Sequence, residues 1–219
     1  MSESFFEIKA PGKWVLAGEH AVLKGLPAVA LPHPSFDLTL RYTRGSNGLL
    51  EVAPENARNI FNELFERYFT KSMRQALLAP PSGRIEIEST IPVGAGLGSS
   101  AALCVALTQW WSRVSDQASH QDLTSSRVFE FARALENHFH GNSSGMDVAV
   151  SLAGEPILFH SGQSRSLGIR HLPRFTFHDT EIRSKTKDCV SQVERFRKSQ
   201  PEYGLRVDEQ MGHAAELAC

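Results

Sequence analysis

The sequence predicts a mixed α+β fold, and three observations carry that expectation. The opening third consists of short runs in which apolar and polar residues alternate. Later stretches carry apolar residues at helical spacing, and a dense glycine cluster joins a strand-like run to a helix-like one. That cluster, Ile91-Pro-Val-Gly-Ala-Gly-Leu-Gly-Ser-Ser-Ala-Ala102, organises the chain. Upstream, Arg84 to Ile91 sets Ile85 and Ile87 against charged neighbours, the mark of a half-buried strand. Downstream, Ala101 to Val114 places Leu103, Ala106, Leu107 and Trp110 on one helical stripe. Gly94, Gly96 and Gly98 permit positive φ and close backbone approach, and Ser99 or Ser100 can cap the first turn. Unpaired N–H groups and the positive end of a helix dipole then converge, so the loop reads as a phosphate cradle. It is not a Walker A loop, which needs a Lys that Ser99-Ser100-Ala101 does not supply. Nor is it a dinucleotide fingerprint, since Ser99 stands where the third Gly belongs.

In chain order, Phe5 to Ala10 predicts a strand broken at Pro11-Gly12. Lys13 to Ala17 is strand-like, and Gly18-Glu19-His20 turns the chain toward apolar Ala28 to Leu31. Phe36 to Tyr42 alternates as a further strand. Glu55 to Lys71 carries Ile60, Phe61, Leu64, Phe65, Tyr68 and Phe69 on one wide helical face, so these aromatics belong to a core and not to a base-stacking platform. After the loop Leu78 to Gly83 and the cradle, Asp116 to Asp122 is a polar connection. Ser126 to His140 is a helix ending at Gly141, and Asn142-Ser-Ser-Gly145 is a second small-residue loop ahead of Asp147. Pro156 to Phe159 predicts a strand and Gly162 to Gly168 a polar linker. Beyond it come a strand at Phe175 to Phe177, a helix from about Ser184 to Phe196, and a terminal helix from Val207.

Composition narrows the function classes. In 219 residues, 41% are hydrophobic and 21% charged, as in an ordinary globular protein. A net charge of -1 argues against a broad nucleic-acid or anionic-membrane surface, so phosphate binding must be local. Cys104, Cys189 and Cys219 form no CxxC pair, which points away from zinc and disulfide frameworks and toward a reducing, cytoplasmic setting. The acidic N-terminus does not read as a signal peptide, and no apolar run reaches the roughly 20 residues needed to span a bilayer.

Phosphoryl transfer needs a carboxylate or hydroxyl on Mg²⁺, a base or orienter for the acceptor hydroxyl, and a cation against the developing charge. Ser100, Glu136, Asp147 and Lys13 are candidates for these roles, provided the small-residue loop brings Glu136 and Asp147 together. The residues then reveal a resemblance spread over four places. Ala10-Pro-Gly-Lys-Trp-Val-Leu-Ala-Gly-Glu-His-Ala-Val-Leu-Lys-Gly25, Ile91 to Ala102, and Glu136-Asn-His-Phe-His-Gly-Asn-Ser-Ser-Gly-Met-Asp147 are similar to the motifs of GHMP kinases, in the forms carried by the mevalonate kinases. A fourth, weaker match is Asp179 to Val190, where Glu181 replaces the usual glycine.

The resemblance implies a small-molecule kinase using ATP and Mg²⁺, with mevalonate as the acceptor. Alternatives are phosphomevalonate, another acceptor, or nucleotide binding without turnover. Pro92, Gly94, Ala95, Gly96, Leu97, Gly98, Ser99, Ser100 and Ala101 would bind the nucleotide, and Ser100 and Glu136 the metal. Asp147 and Lys13 would be catalytic, with Glu19 and His20 in the acceptor pocket. The implied fold is a ribosomal protein S5-like unit over residues 1–161 and an incomplete ferredoxin-like unit over 169–219, because a third glycine-rich motif is not found there. On that reading the stripe Val207, Met211, Ala214, Ala215 and Ala218 lacks its sheet, which leaves either a truncated, weakly active or inactive kinase or one that covers the stripe by homodimerisation. Nucleic-acid and membrane partners are not expected.

Overall fold

The alternation of the opening third builds one long antiparallel pair. The computed structural model describes residues 5–70, 81–119, 125–169, 171–178 and 186–219. Strand β1 (Phe5–Ala17) runs through Pro11-Gly12 instead of breaking there. Strand β2 (Ala28–Arg44) likewise fuses the two predicted strands 28–31 and 36–42. They pair from Phe5↔Thr43 to Ala17↔Val29, and the Pro-Gly signal survives as a register shift between Pro11 and Lys13. A bulge of this kind re-aims side chains without ending the ladder.

β3 (Leu50–Ala53), too short to show a period, was not legible in the sequence. It is followed by helix α1 (Glu55–Leu64), which continues as a π-helical turn over 65–69. β4 (Gly83–Ser89) then pairs β3 in parallel and β2 antiparallel. Next come α2 (Ser99–Ser119), α3 (Ser125–His140) and α4 (Met146–Ala153). β5 (Ile157–His160) and β6 (Gln163–Ser166) form an edge hairpin, so part of the predicted linker is a strand. All four residues of β6 are exposed, and a strand with neither side buried shows no alternation. The sheet order is β3-β4-β2-β5-β6, with β1 on the other edge of β2.

The inner face carries Phe6, Ile8, Ala10, Leu38, Leu40, Ile85 and Ile87, which pack on Ala101, Val105, Leu107 and Trp110 of α2. Phe69 meets Trp110 at 6.1 Å and Phe131 at 5.2 Å between ring centroids, so the aromatics of 61–69 are core, as expected. The predicted strand at 175–177 is no strand: its segment lies over the sheet, with Phe175 4.6 Å from the Trp14 ring.

Helices α5 (Thr186–Ser199) and α6 (Pro201–Leu217) end the chain. α6 starts six residues before the predicted Val207, with Pro201 in the first turn where its missing N–H costs nothing. The expectation of an unpaired stripe is corrected as well. Gly204, Asp208, Gly212 and Ala215 form the buried face, while Ala214 is exposed. Ala215 and Ala218 pack on Val29, Leu31 and Trp14. Ala28 and Ala30, which alternate with Val29 and Leu31, pack instead on Met146, Ala149 and Val150. Helices α6 and α4 therefore cover opposite faces of β2. Among the described residues no helix is long and apolar enough to cross a membrane. Residues 179–185 of the fourth motif lie outside the described residues, as do the ends of the predicted stretches at Lys71, Leu78 and Asp122.

Candidate active site

The bulge in β1 decides where Lys13 points. Up to Ala10 the even-numbered residues face the core, which by parity would leave Lys13 outside. Beyond the shift, Gly12 and Lys13 are both buried, and Val15 joins the cluster around α4. Lys13 thus turns toward the helix that carries Asp147, and its Nζ lies 3.2 Å from Asp147 Oδ2. The lysine side chain is 7% exposed and the aspartate 28%, so the carboxylate alone keeps an open side. Burial pulls the Lys13 ammonium down, but Asp147, Glu19 and Glu136 outweigh it and hold it above the ordinary lysine value.

The glycine loop is fastened to this lysine. Lys13 N–H donates to Leu97 O at 2.9 Å. Gly98, at φ 74°, lies so close that a Cβ would be 2.7 Å from Lys13 Cγ. Gly96 has φ 75° but open space around it, so the loop's tip faces outward. Among the described residues no protein acceptor meets the N–H groups of Gly94, Gly96, Leu97 or Gly98. The cap falls to Gly98, whose carbonyl accepts the first helical bond from Ala102 N–H at 3.0 Å, and not to Ser99 or Ser100. The Ser100 hydroxyl is therefore free of the backbone and shares a 2.9 Å hydrogen bond with His140 Nε2. Burial holds His140 below the ordinary histidine value, with Asp147 opposing.

Helix α3 and the second small-residue loop supply the other acid. Arg133, Glu136, Asn137 and His140 share one helical face. Ser143 Oγ donates a short hydrogen bond to Glu136 Oε2 and accepts one from Gly145 N–H. Asn137 Oδ1 accepts from Ser143 N–H at 2.7 Å, and Arg133 Nε donates to the Ser143 carbonyl. Gly145 then caps α4 with φ 88° and sets Asp147 in its first turn. Glu136 is 2% exposed and not a solvated helix residue. Burial and the Asp147 charge push its carboxyl up to about 7, against the Ser143 hydroxyl, Lys13 and Arg133.

The structure thus gathers Lys13, Asp147, Glu136 and the loop 94–100, with Ser100 joined through His140. Glu19 is exposed but within electrostatic reach of Lys13, while the His20 ring makes no hydrogen bond or ion pair among the described residues. Sequence reasoning assigned no role to His140, Ser143 or Asn137. Their signal was present, since all three sit in the third motif. A cavity of about 260 Å³ nearby is lined by Val22, Gly25, Arg133 and Ser143 but not by Lys13, Asp147 or the glycine loop, so it backs the second loop and not the Lys13–Asp147 pair.

A loop of free N–H groups thus lies beside the Lys13–Asp147 pair, and similarity to known proteins gives the chain a family. The GHMP kinases N terminal domain matches residues 59–155, and the chain belongs to the GHMP kinase family. The mevalonate kinase of Thermococcus gammatolerans is 32% identical over 95% of this chain and 67% of its own length, and that of Pyrococcus abyssi is 30% identical with the same coverage. The crystal structure of the Methanococcus jannaschii mevalonate kinase covers the whole chain at a TM-score of 0.71 and 17% identity. That of the L. major mevalonate kinase in complex with R-mevalonate does so at 0.69 and 22%. The chain spans 73% and 71% of those two structures.

Proposed function

We propose that this kinase transfers the γ-phosphoryl group of ATP to the primary hydroxyl of mevalonate. The observation that carries the reading is the buried Lys13–Asp147 pair, tied to the glycine loop through Lys13 N–H and Leu97 O. Phosphoryl transfer asks mainly for positioning and charge compensation, and both are available here. The N–H groups of 94–98 and the start of α2 hold the terminal phosphates. The acceptor hydroxyl lies against the open side of Asp147, which takes its proton as the new O–P bond forms and the bond to the ADP oxygen breaks. Lys13 stays charged throughout and keeps that carboxylate in place. Glu19 and His20 line the acceptor side.

The oxygen donors Ser100 and Glu136 fit Mg²⁺, a hard cation. Glu136 lies one helical turn from His140, which touches the Ser100 hydroxyl, and that shared neighbour supports the assignment. Bound there, Mg²⁺ would neutralise charge on the phosphate oxygens.

The names of the relatives support mevalonate over other alcohols. The test is ADP release by the purified chain with Mg-ATP and, separately, mevalonate, phosphomevalonate, galactose and homoserine. Release that depends on mevalonate alone is expected. Release with a different alcohol reassigns the acceptor, and nucleotide binding without release on any of them leaves a binding protein.

A further inference from the structure

The turn after β1 is held by a residue from the far end of the chain. His20 has φ 62° and ψ -34°, away from the left-handed basin at positive ψ, a backbone state that persists only where surrounding contacts over-determine it. Its carbonyl accepts from Leu23 N–H at 3.3 Å and from Arg197 Nη2 at 3.2 Å. Arg197 Nη2 also donates to Asp208 Oδ1 at 2.5 Å, and the two side chains are 12% and 11% exposed. The surroundings are shaped for this arginine. A Cβ on Gly204 would lie 3.2 Å from Arg197 Cα and Cγ, so α6 passes the arginine stem with its side chain deleted. Two turns further, Gly212 seats on Leu26 and Pro27 at the other end of the same turn. Gly18, which opens it, has no room for a Cβ beside Pro27 O. Arg197 Nε is buried with no acceptor among the described residues, a cost that an arginine serving only as a surface charge would avoid.

We infer that Arg197, anchored by Asp208, is a positioning residue that fixes the His20 carbonyl and with it the turn presenting Glu19 and His20 to the acceptor. The inference rests on the reading of Glu19 and His20 as acceptor-lining residues. Arg197 touches no reacting atom. It acts on where the turn stands, so its loss falls on acceptor binding and leaves the nucleotide side alone.

The test compares Arg197→Met, Arg197→Lys and the double variant Arg197→Met/Asp208→Leu in the full chain. The double variant replaces the ion pair with apolar side chains of similar size, which commonly preserves stability, yet it still deletes the donor to His20. Hydrogen exchange without ligands is read at the Val22 and Leu23 amides, and KM is read for mevalonate and for ATP. We expect exchange at those amides to rise by about tenfold or more in both methionine variants, with β4 unchanged in the double variant, which keeps its stability. The KM for mevalonate rises by about tenfold and that for ATP stays within about twofold. Arg197→Lys falls between, since its single ammonium replaces a fork. Unchanged exchange at Val22 and Leu23 in the double variant overturns the inference, as does a rise spread equally over β4. Faster exchange there with an unmoved mevalonate KM leaves the clamp standing and overturns instead the assignment of Glu19 and His20 to the acceptor.

Discussion

Two ion pairs fasten the candidate site and the turn beside it, and they differ in the access each leaves to its acid. Arg197 and Asp208 are closed on both sides, at 12% and 11% exposure, whereas Lys13 is closed at 7% while Asp147 keeps 28% of its side chain open. A pair sealed on both sides can only hold something in place. A pair with one open oxygen can hold and also meet a substrate. On the proposed function, burial of the cation with access to the anion is what would set the Lys13–Asp147 pair apart from a purely supporting one.

The comparison breaks if the two pairs respond alike to losing their cations. Lys13→Met should cost turnover about a hundredfold or more and little stability, because Asp147 can take up water on its open side. Arg197→Met should do the reverse, losing about 3 kcal/mol of stability by leaving Asp208 buried and unpaired, with kcat within a few-fold. Denaturant unfolding and steady-state kinetics on both variants decide the matter. Equal stability losses would erase the distinction.

A smaller effect separates two glycines of one loop. Gly98→Ala brings a methyl group into Lys13 and a side chain to φ 74°, while Gly96→Ala meets only the strain of φ 75°. The first should cost about 2 kcal/mol or more and displace Lys13, the second about 1 kcal/mol. Nucleotide affinity and melting of both variants test this, and equal losses would mean that the loop is not fastened to Lys13.

The smallest expected effect is a change of slope. The Glu136 carboxyl is pushed from an ordinary 4.5 up to about 7 in the folded chain, so folding disfavours its ionised form. At low pH both states are protonated and the group contributes nothing. As pH rises from about 4.5 through about 7, the unfolded chain ionises first and stability is lost. Glu136→Gln removes that loss, so its stability relative to the unaltered chain should rise across this window and level off above it. His140 and His33, both held below the ordinary histidine value, act with the opposite sign in both chains and cancel in the difference. A pH-independent difference would contradict the burial of a titrating Glu136.

What the sequence made legible follows from how local each cause is. The turn of the glycine loop was legible because positive φ at Gly94, Gly96 and Gly98 is a property of those residues themselves. α2 and α3 were legible because a helix core repeats its period many times. Lys13 was legible as a residue type but not as a buried one. Parity from Ile8 and Ala10 sends it outward, and only the register shift, fixed by how β2 pairs around His33 to Phe36, turns it in. The His33 ring accepts N–H bonds from Ser35 and Phe36 there, a local turn inside what pattern alone reads as two strands. β6 was missed because its four residues bury no side. Arg197 was missed because its partners, Asp208 and the His20 carbonyl, meet it only after two helices have docked.

On the proposed function, the open carboxylate of Asp147 serves the acceptor and not the nucleotide. The most direct measurement is mevalonate-dependent ADP release by Asp147→Asn, with Mg-ATP affinity titrated in parallel on the same preparation. Asparagine keeps the shape and cannot take the proton, so kcat should fall by about 10²–10⁴-fold while ATP affinity stays within a few-fold. Turnover near that of the unaltered chain, or a collapse of ATP binding with turnover preserved at saturating ATP, would contradict it.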